Sequence, residues 1–74
     1  MLKTLDTKGY KCPFPVLKAK KEIKKLSKGD TLVVESTDPL SKLDFKFFCK
    51  NTGHKLTKIR KKGNIFIIEI LVKK

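Results

Sequence analysis

The chain has 74 residues, of which 39% are hydrophobic and 35% charged, a composition that predicts one small folded domain over residues 1–74 rather than disorder. A chain of this length buries about 60% of the surface that its unfolded form exposes, which leaves room for a single core. No apolar segment approaches the ~20 residues of a membrane span, and the first residues lack the apolar stretch of a secretory signal. We therefore expect a cytoplasmic protein with no membrane contact.

The charge balance is strongly basic, with nineteen Lys and Arg against seven Asp and Glu and a net charge of +12. Such an excess favours partners that are polyanionic or acidic. Arg60 is the single arginine, however, and base edges and phosphates are contacted best by the planar guanidinium group. A nearly pure lysine excess is equally explained by compositional bias, so a lysine-rich RNA-binding module is kept as an alternative function.

Periodicity and turn residues predict six elements in the order β-α-β-α-β-β. The predicted elements are a strand over Met1 to Asp6, a helix with the apolar stripe Val16, Ala19, Ile23 and Leu26 that ends at Gly29 and Asp30, a strand over Thr31 to Thr37, a helix from Pro39 to about Thr52, and strands over Lys55 to Arg60 and Ile65 to Val72. Asp38 is the expected N-cap of the second helix. The fold class that follows is α/β, a two-layer sandwich in which two helices pack on one face of a four-stranded mixed sheet.

The second helix carries two apolar stripes. They are Leu40, Leu43 and Phe47 on one side and Phe45, Phe48, Cys49 and Thr52 on the other. A two-layer fold buries only one of them fully, so the other is a candidate interface. The last strand is apolar on both faces, which fits a central strand or a dimer contact, and we expect a monomer or a weak dimer.

Cys12 is the predicted catalytic residue. It directly precedes Pro13, which suits the first position of a helix, so Cys12 occupies or adjoins the N-cap, where unpaired N–H groups and the helix dipole stabilise a thiolate. Lys8 and Lys11 add positive charge, and together these features are expected to lower the pKa of the thiol toward neutrality. An exposed thiolate of this kind is a nucleophile, a sulfur carrier or a redox sensor. The alternative is a capping residue whose thiol is incidental.

The surroundings of Cys12 supply two further groups of candidate residues. Those expected to support the site, by stiffening its loop, by capping or by adding positive charge, are Gly9, Lys11, Pro13, Pro15 and Asp38. The candidate docking residues for a partner are Lys8, Phe14, Leu17, Lys18 and Lys21. Phe14 and Leu17 fall on the lysine side of the first helix, where they either cover the adjoining loop or form a small apolar docking point.

The remaining candidate residues, Cys49, His54 and Asp44, are interpreted first as structural residues. Cys49 is expected in the core, with a resolving thiol for Cys12 as the alternative. His54 is expected to be a half-exposed turn residue, with a local acid/base role as the alternative. Asp44 is interpreted as a solvated or locally bonded helix residue. Two cysteines and one histidine are too few ligands for a structural zinc site, so no metal is expected.

Four segments, in register along the whole chain, resemble the TusA/SirA-like family. They are Gly9-Tyr10-Lys11-Cys12-Pro13-Phe14-Pro15, Thr37-Asp38-Pro39, Phe48-Cys49 and Gly53-His54. The resemblance implies a compact two-layer α/β fold in which the residue matching Cys12 takes up sulfane sulfur as a persulfide and passes it on. Two departures are Tyr10, where an aliphatic residue is common, and a heavier lysine content.

The same resemblance implies the partners. A sulfurtransferase of this kind relays sulfur from a protein donor, a cysteine desulfurase or a rhodanese-like protein, to a protein acceptor that serves tRNA thiolation, cofactor assembly or sulfur metabolism. No cofactor is needed because the sulfur is covalently held on Cys12, and nucleic acid is contacted only indirectly. The second alternative besides RNA binding is a thiol redox or regulatory protein in which Cys12 forms mixed disulfides.

Overall fold

The computed structural model of the protein describes residues 2–73. Its elements, in chain order, are β1 (Leu2–Asp6), α1 (Phe14–Ile23), β2 (Thr31–Ser36), α2 (Ser41–Thr52), β3 (Lys55–Lys62) and β4 (Ile65–Leu71). The predicted β-α-β-α-β-β order is confirmed. Within the described part of the chain, no helix is long and apolar enough to cross a membrane.

The four strands form one mixed sheet in the order β1-β2-β4-β3. β1 and β2 are parallel and are joined by the crossover through α1, whereas β4 pairs antiparallel with both β2 and β3. β2 and β4 are therefore the central strands. This position explains why the last strand of the sequence is apolar on both faces.

The core lies between the sheet and the two helices. Its buried members are Leu32 and Val34 on β2, Ile68 and Ile70 on β4, Val72 just beyond it, Ala19 and Ile23 on α1, and Phe45, Phe48 and Cys49 on α2. Buried and half-buried residues alternate along β2, as expected for a sheet that is packed fully on one side. Both helices contribute to the same core, which confirms the two-layer prediction.

Several element boundaries differ from the prediction. α2 begins at Ser41 rather than at Pro39, because the Asp38 carboxylate accepts the N–H of Leu40 at 3.0 Å and holds residues 38–40 in a turn. α1 ends at Ile23, so Leu26 packs against the core from the turn that follows the helix. β2 and β4 each end one residue earlier than predicted, and β3 continues to Lys62. Met1 lies outside the described residues.

Packing against the sheet buries one of the two apolar stripes of α2 and leaves the other exposed. Phe45, Phe48 and Cys49 are buried, whereas Leu43 and Phe47 are exposed, together with Leu40 just before the helix. The exposed stripe adjoins the loop that carries Cys12, because Leu40 and Phe47 line the two clefts that Cys12 also lines. The candidate interface of α2 is therefore the stripe of Leu40, Leu43 and Phe47.

Candidate functional site

The loop between β1 and α1 carries Cys12 and is attached firmly to the end of β2. Thr7 is buried and donates both its backbone N–H, at 2.8 Å, and its hydroxyl, at 2.6 Å, to the carbonyl of Glu35. Gly9 has a φ of +88°, a conformation that side chains with a Cβ rarely adopt, and its N–H donates to the Thr37 hydroxyl at 3.0 Å. These bonds fix both the path and the direction of the loop before it reaches Cys12.

Asp38 connects the Cys12 loop to the beginning of α2. Its Oδ2 accepts the backbone N–H of Cys12 at 2.6 Å, while its Oδ1 accepts the N–H of Leu40. The Asp38 side chain is only 9% exposed, and its own N–H donates to the Ser36 hydroxyl at 3.2 Å. One carboxylate thus holds the backbone of the Cys12 loop against the turn that precedes α2. The expectation that Asp38 is the N-cap of α2 is wrong, because the N-cap is Leu40 and no side chain caps the helix.

Cys12 itself is exposed and has a free thiol. α1 begins at Phe14, its N-cap is Pro13, and the Cys12–Pro13 peptide bond is cis. The expectation that Pro13 is the first helical residue is therefore wrong, although Cys12 does adjoin the cap. Pro15 is buried in the first turn of α1, and Lys11 is exposed beside Cys12.

Two carboxylates lie at the Cys12 thiol. The Sγ of Cys12 and one oxygen each of Asp38 and Asp44 lie within 4.8 Å of one another. Hydrogen bonding to the Asp44 carboxylate, followed by partial desolvation and by the negative charges of Asp44 and Asp38, raises the pKa of the Cys12 thiol. The expected lowering of this pKa is therefore wrong, because the nearby carboxylates and the partial desolvation disfavour the thiolate.

Asp44 is the functional candidate that sequence reasoning missed. It lies in the first turn of α2 and is half-buried. An acidic residue in the first turn of a helix is common because it complements the helix dipole, so its presence alone indicated no special role. Only the packing of α2 beside the Cys12 loop brings its carboxylate to the thiol.

Lys8 does not act on the thiol as expected. Its ammonium group lies 2.7 Å from Glu35 Oε1 and 3.3 Å from Asp6 Oδ1, and hydrogen bonding to Glu35 and then Asp6 raises its pKa. Its positive charge is thus paired with two carboxylates, one on β1 and one on β2. The prediction that Lys8 stabilises an anionic sulfur on Cys12 is not supported by this geometry.

Two open clefts flank Cys12, and of the predicted docking residues only Leu17 lines one of them. One, of about 380 Å³, lies between residues 9–12 and 37–40. The other, of about 410 Å³, is lined by Cys12, Val16, Leu17, Lys20, Asp44 and Phe47 among others. A third cleft of about 440 Å³ continues along α1 and is lined by Phe14, Leu17 and lysines that include Lys18 and Lys21.

The three groups at the site also carry atoms that can ligate a metal ion. Cys12, Asp38 and Asp44 are close enough to approach one cation. Both carboxylate oxygens of Asp38, however, already accept backbone N–H groups, and a structural zinc site has four ligands. The arrangement fits the chemistry of a thiol beside a carboxylate better than that of a metal centre.

Cys49 and His54 lie elsewhere in the fold. Cys49 is buried, as expected, and burial raises the pKa of its thiol to about 11. His54 is half-buried, lies 6.2 Å from the Phe48 ring between centroids, and accepts the backbone N–H of Lys73 at its Nδ1. These contacts fit the structural interpretation that the sequence favoured for each residue.

Comparison with known proteins gives a consistent result. The model of the family described as sulfurtransferase TusA matches residues 3–74. The sulfur carrier protein TusA of Allochromatium vinosum is 43% identical over 70 residues, covering 95% of this chain and 90% of that protein. A relative from Neisseria meningitidis serogroup A is 40% identical over 67 residues, covering 90% of each chain. The crystal structure of a SirA-like protein from Desulfitobacterium hafniense has the same fold, with a TM-score of 0.84 over all of both chains at 24% identity.

Proposed function

The chain belongs to the TusA sulfurtransferase family and is a sulfur carrier, and from this premise we propose that it carries the sulfur as a persulfide on Cys12. A sulfur carrier acts between proteins that donate and accept sulfur. The sulfur is held covalently, so the transfer needs no metal and no organic cofactor.

The observation that carries the proposal is the contrast between the two thiols of the chain. Cys12 is exposed at the junction of two open clefts, whereas Cys49 is 4% exposed and lies among the aromatic residues of α2. A thiol must reach the sulfane sulfur of a donor protein in order to accept it. Of the two, Cys12 alone has that access without unfolding of the core.

The surface around Cys12 supports docking of a protein partner. Six large apolar side chains are exposed on the Cys12 loop, on α1, and on α2 and the residue before it: Tyr10, Phe14, Leu17, Leu40, Leu43 and Phe47. Lysines border them, and the ammonium group of Lys18 lies 4.5 Å from the centre of the Tyr10 ring. We refer to these six residues as the Cys12 surface. Exposed apolar groups bordered by cations fit a partner whose own surface is apolar and rimmed by acidic residues.

The donor is proposed to be a cysteine desulfurase or a rhodanese-like protein that presents a persulfide. The acceptor is proposed to be a protein of tRNA thiolation, cofactor assembly or another branch of sulfur metabolism. The chain would act as a relay whose rate depends on both partners. It would not be an enzyme that converts a small molecule by itself.

The test is the intact mass of the protein after incubation with a cysteine desulfurase and cysteine in the absence of reductant. We expect the gain of one sulfur atom, removed by reductant, in the wild type and in Cys49→Ala, and no gain in Cys12→Ser. A rhodanese with thiosulfate is the second donor. Failure of the wild type to gain sulfur from either donor, or equal loading of Cys12→Ser, would refute the proposal.

A further inference from the structure

The Cys12 thiol faces a carboxylate that has no structural task comparable to that of Asp38. Asp38 is nearly buried, and its two oxygens accept backbone N–H groups from Cys12 and Leu40. Asp44 is half-buried and lines the cleft that Cys12 and Leu17 also line. Its oxygen lies within 4.8 Å of both the Cys12 Sγ and a carboxylate oxygen of Asp38.

From this geometry we propose that Asp44 is the proton acceptor and donor for the Cys12 sulfur during sulfur transfer. The inference rests on the proposed function of Cys12, and it assigns a catalytic role to a residue of α2. Asp44 is suited to the role because one of its oxygens lies within 4.8 Å of the Sγ of Cys12 and because it lines the open cleft that Cys12 also lines. A carboxylate whose oxygens were already committed to backbone N–H groups would be less free to take a proton.

According to this proposal, Cys12 of the free carrier is mainly in the protonated, less reactive thiol form. Asp44 and Asp38 together disfavour the thiolate and raise the pKa of Cys12. Two lysines among the described residues line clefts together with the thiol: Lys11, its neighbour in the loop, and Lys20, which lines the same cleft as Asp44. Because the thiolate is the reactive form toward oxidants and alkylating agents, the free carrier is less reactive than an ordinary exposed cysteine.

Transfer then proceeds with a balanced movement of one sulfur and one proton. The Cys12 S–H bond gives its proton to the Asp44 carboxylate as Sγ forms a bond with the terminal sulfur of the donor's persulfide. The donor's S–S bond breaks, and its electron pair leaves with the donor's cysteine sulfur as a thiolate. The proton on Asp44 then passes to that thiolate, so that a thiol and a persulfide give a persulfide and a thiol without any external oxidant or reductant.

The test separates the reactivity of the thiol from its ability to accept sulfur. Asp44→Asn keeps the size of the side chain but removes the negative charge and the capacity to take a proton. Because the thiolate fraction rises tenfold per unit of pKa lowering while thiolate nucleophilicity falls, alkylation of Cys12 by iodoacetamide at pH 7 should become faster, by roughly threefold for each unit. Sulfur loading from a persulfidated donor should become slower, by roughly a hundredfold or more.

Two controls make the result specific. Glu69→Gln removes the same charge at β4, where Glu69 pairs with Arg60, and should leave alkylation and loading unchanged. Asp44→Glu retains a carboxylate and should recover part of the loading rate. Urea unfolding of each variant verifies that the fold is intact, and mapping of the labelled peptide verifies that Cys12 is the alkylated residue.

Each outcome decides the inference. Faster alkylation combined with slower loading supports it. If Asp44→Asn is alkylated at the wild-type rate, the inference is overturned, because Asp44 then does not act on the thiol. If alkylation and loading both become faster, it is overturned as well, because Asp44 then only suppresses the reactivity of the thiol. Failure of the wild type to load sulfur would refute the proposed function instead, and a shifted alkylation profile would still establish the Asp44–Cys12 contact.

Discussion

Cys12 and Cys49 carry the same side chain in two different environments, and in both cases the pKa of the thiol is raised. For Cys12 the first cause is hydrogen bonding to a carboxylate at the surface, and for Cys49 the cause is burial. The first environment is adjustable, because a docked partner can change the charge and the solvent access around the thiol. The second is fixed by the core, so Cys49 acts as a small apolar side chain.

The raised pKa of Cys49 predicts a loss of stability in alkaline solution. In the folded protein this thiol keeps its proton up to a pH of about 11, whereas in the unfolded chain it loses it near pH ~8.5. Between these values the folded state binds more protons, so the free energy of unfolding should fall with rising pH by up to ~1.4 kcal/mol per pH unit from this group.

The measurement is urea unfolding of the wild type and of Cys49→Ala at pH 8 and at about pH 10.5. Lysines also titrate in this range, but they contribute to both proteins, so the difference between the two pH dependences isolates Cys49. We expect Cys49→Ala to be less stable at pH 8 and to lose less stability on raising the pH. Parallel pH dependences would contradict the prediction.

Among the elements, α2 both packs into the core and contributes exposed apolar residues near Cys12, and the two sets of residues look alike in the sequence. One side of the helix fills the core with Phe45, Phe48 and Cys49, and its first turn brings Asp44 to Cys12. The other side leaves Leu43 and Phe47 exposed. Exposed apolar side chains are tolerated singly, but Phe47 lines the same cleft as Cys12 and Leu17 of α1.

We predict that Phe47→Ser slows sulfur loading from a donor protein without altering the chemistry of Cys12. Since a central apolar contact in an interface contributes on the order of 1–2 kcal/mol, kcat/KM for loading should fall by roughly tenfold. Sulfur uptake from a small-molecule persulfide, which needs no docking, should be unchanged. Both rates are measured by the change in intact mass over time.

Leu2→Ser is the matched control for this variant. Leu2 is 65% exposed, as prominent as any side chain of the Cys12 surface, but it lies at the start of β1. Its substitution should leave loading by the protein donor unaffected. An equal decrease in Leu2→Ser and Phe47→Ser would show that general surface apolarity, and not the Cys12 surface, governs docking.

At the scale of the whole molecule, the net charge is +12, and part of this positive charge borders the Cys12 surface. Lysines of α1 line a cleft next to Phe14 and Leu17. The charge is thus placed where it can steer an acidic partner toward the exposed thiol.

The charge predicts that docking depends on salt. Raising the ionic strength from about 50 mM to about 300 mM should lower kcat/KM for loading by a donor protein by roughly fivefold to tenfold, because longer-range attraction is screened. Loading by a neutral small-molecule persulfide should change little. Lys18→Glu combined with Lys21→Glu should reduce the salt dependence, and a salt effect of equal size with both donors would contradict electrostatic steering.

The sequence predicted the structure best for features that depend on residues close together in the chain. The order of the six elements follows from apolar periodicity and turn residues, which report on neighbours within a few positions. The predicted start of α2 is wrong because the Asp38 carboxylate accepts the backbone N–H groups of Cys12 and Leu40. The bond to Cys12 joins segments that are distant in the chain, so local sequence patterns do not reveal it. The exposure of Leu43 and Phe47 could not be assigned either, because both stripes of the helix have the same apolar character.

Residue types at short spacings were enough to predict the fold class, the family resemblance and the candidate thiol Cys12. The electrostatic state of that thiol could not be predicted in this way, because it depends on contacts that the chain makes only when folded. Asp38 and Asp44 come from segments distant in the chain, and Lys8, although close in sequence, is paired with Glu35 and Asp6. The pKa of a thiol sums the charges and hydrogen bonds that surround it in space, and the folded arrangement of β1, β2 and α2 sets those distances.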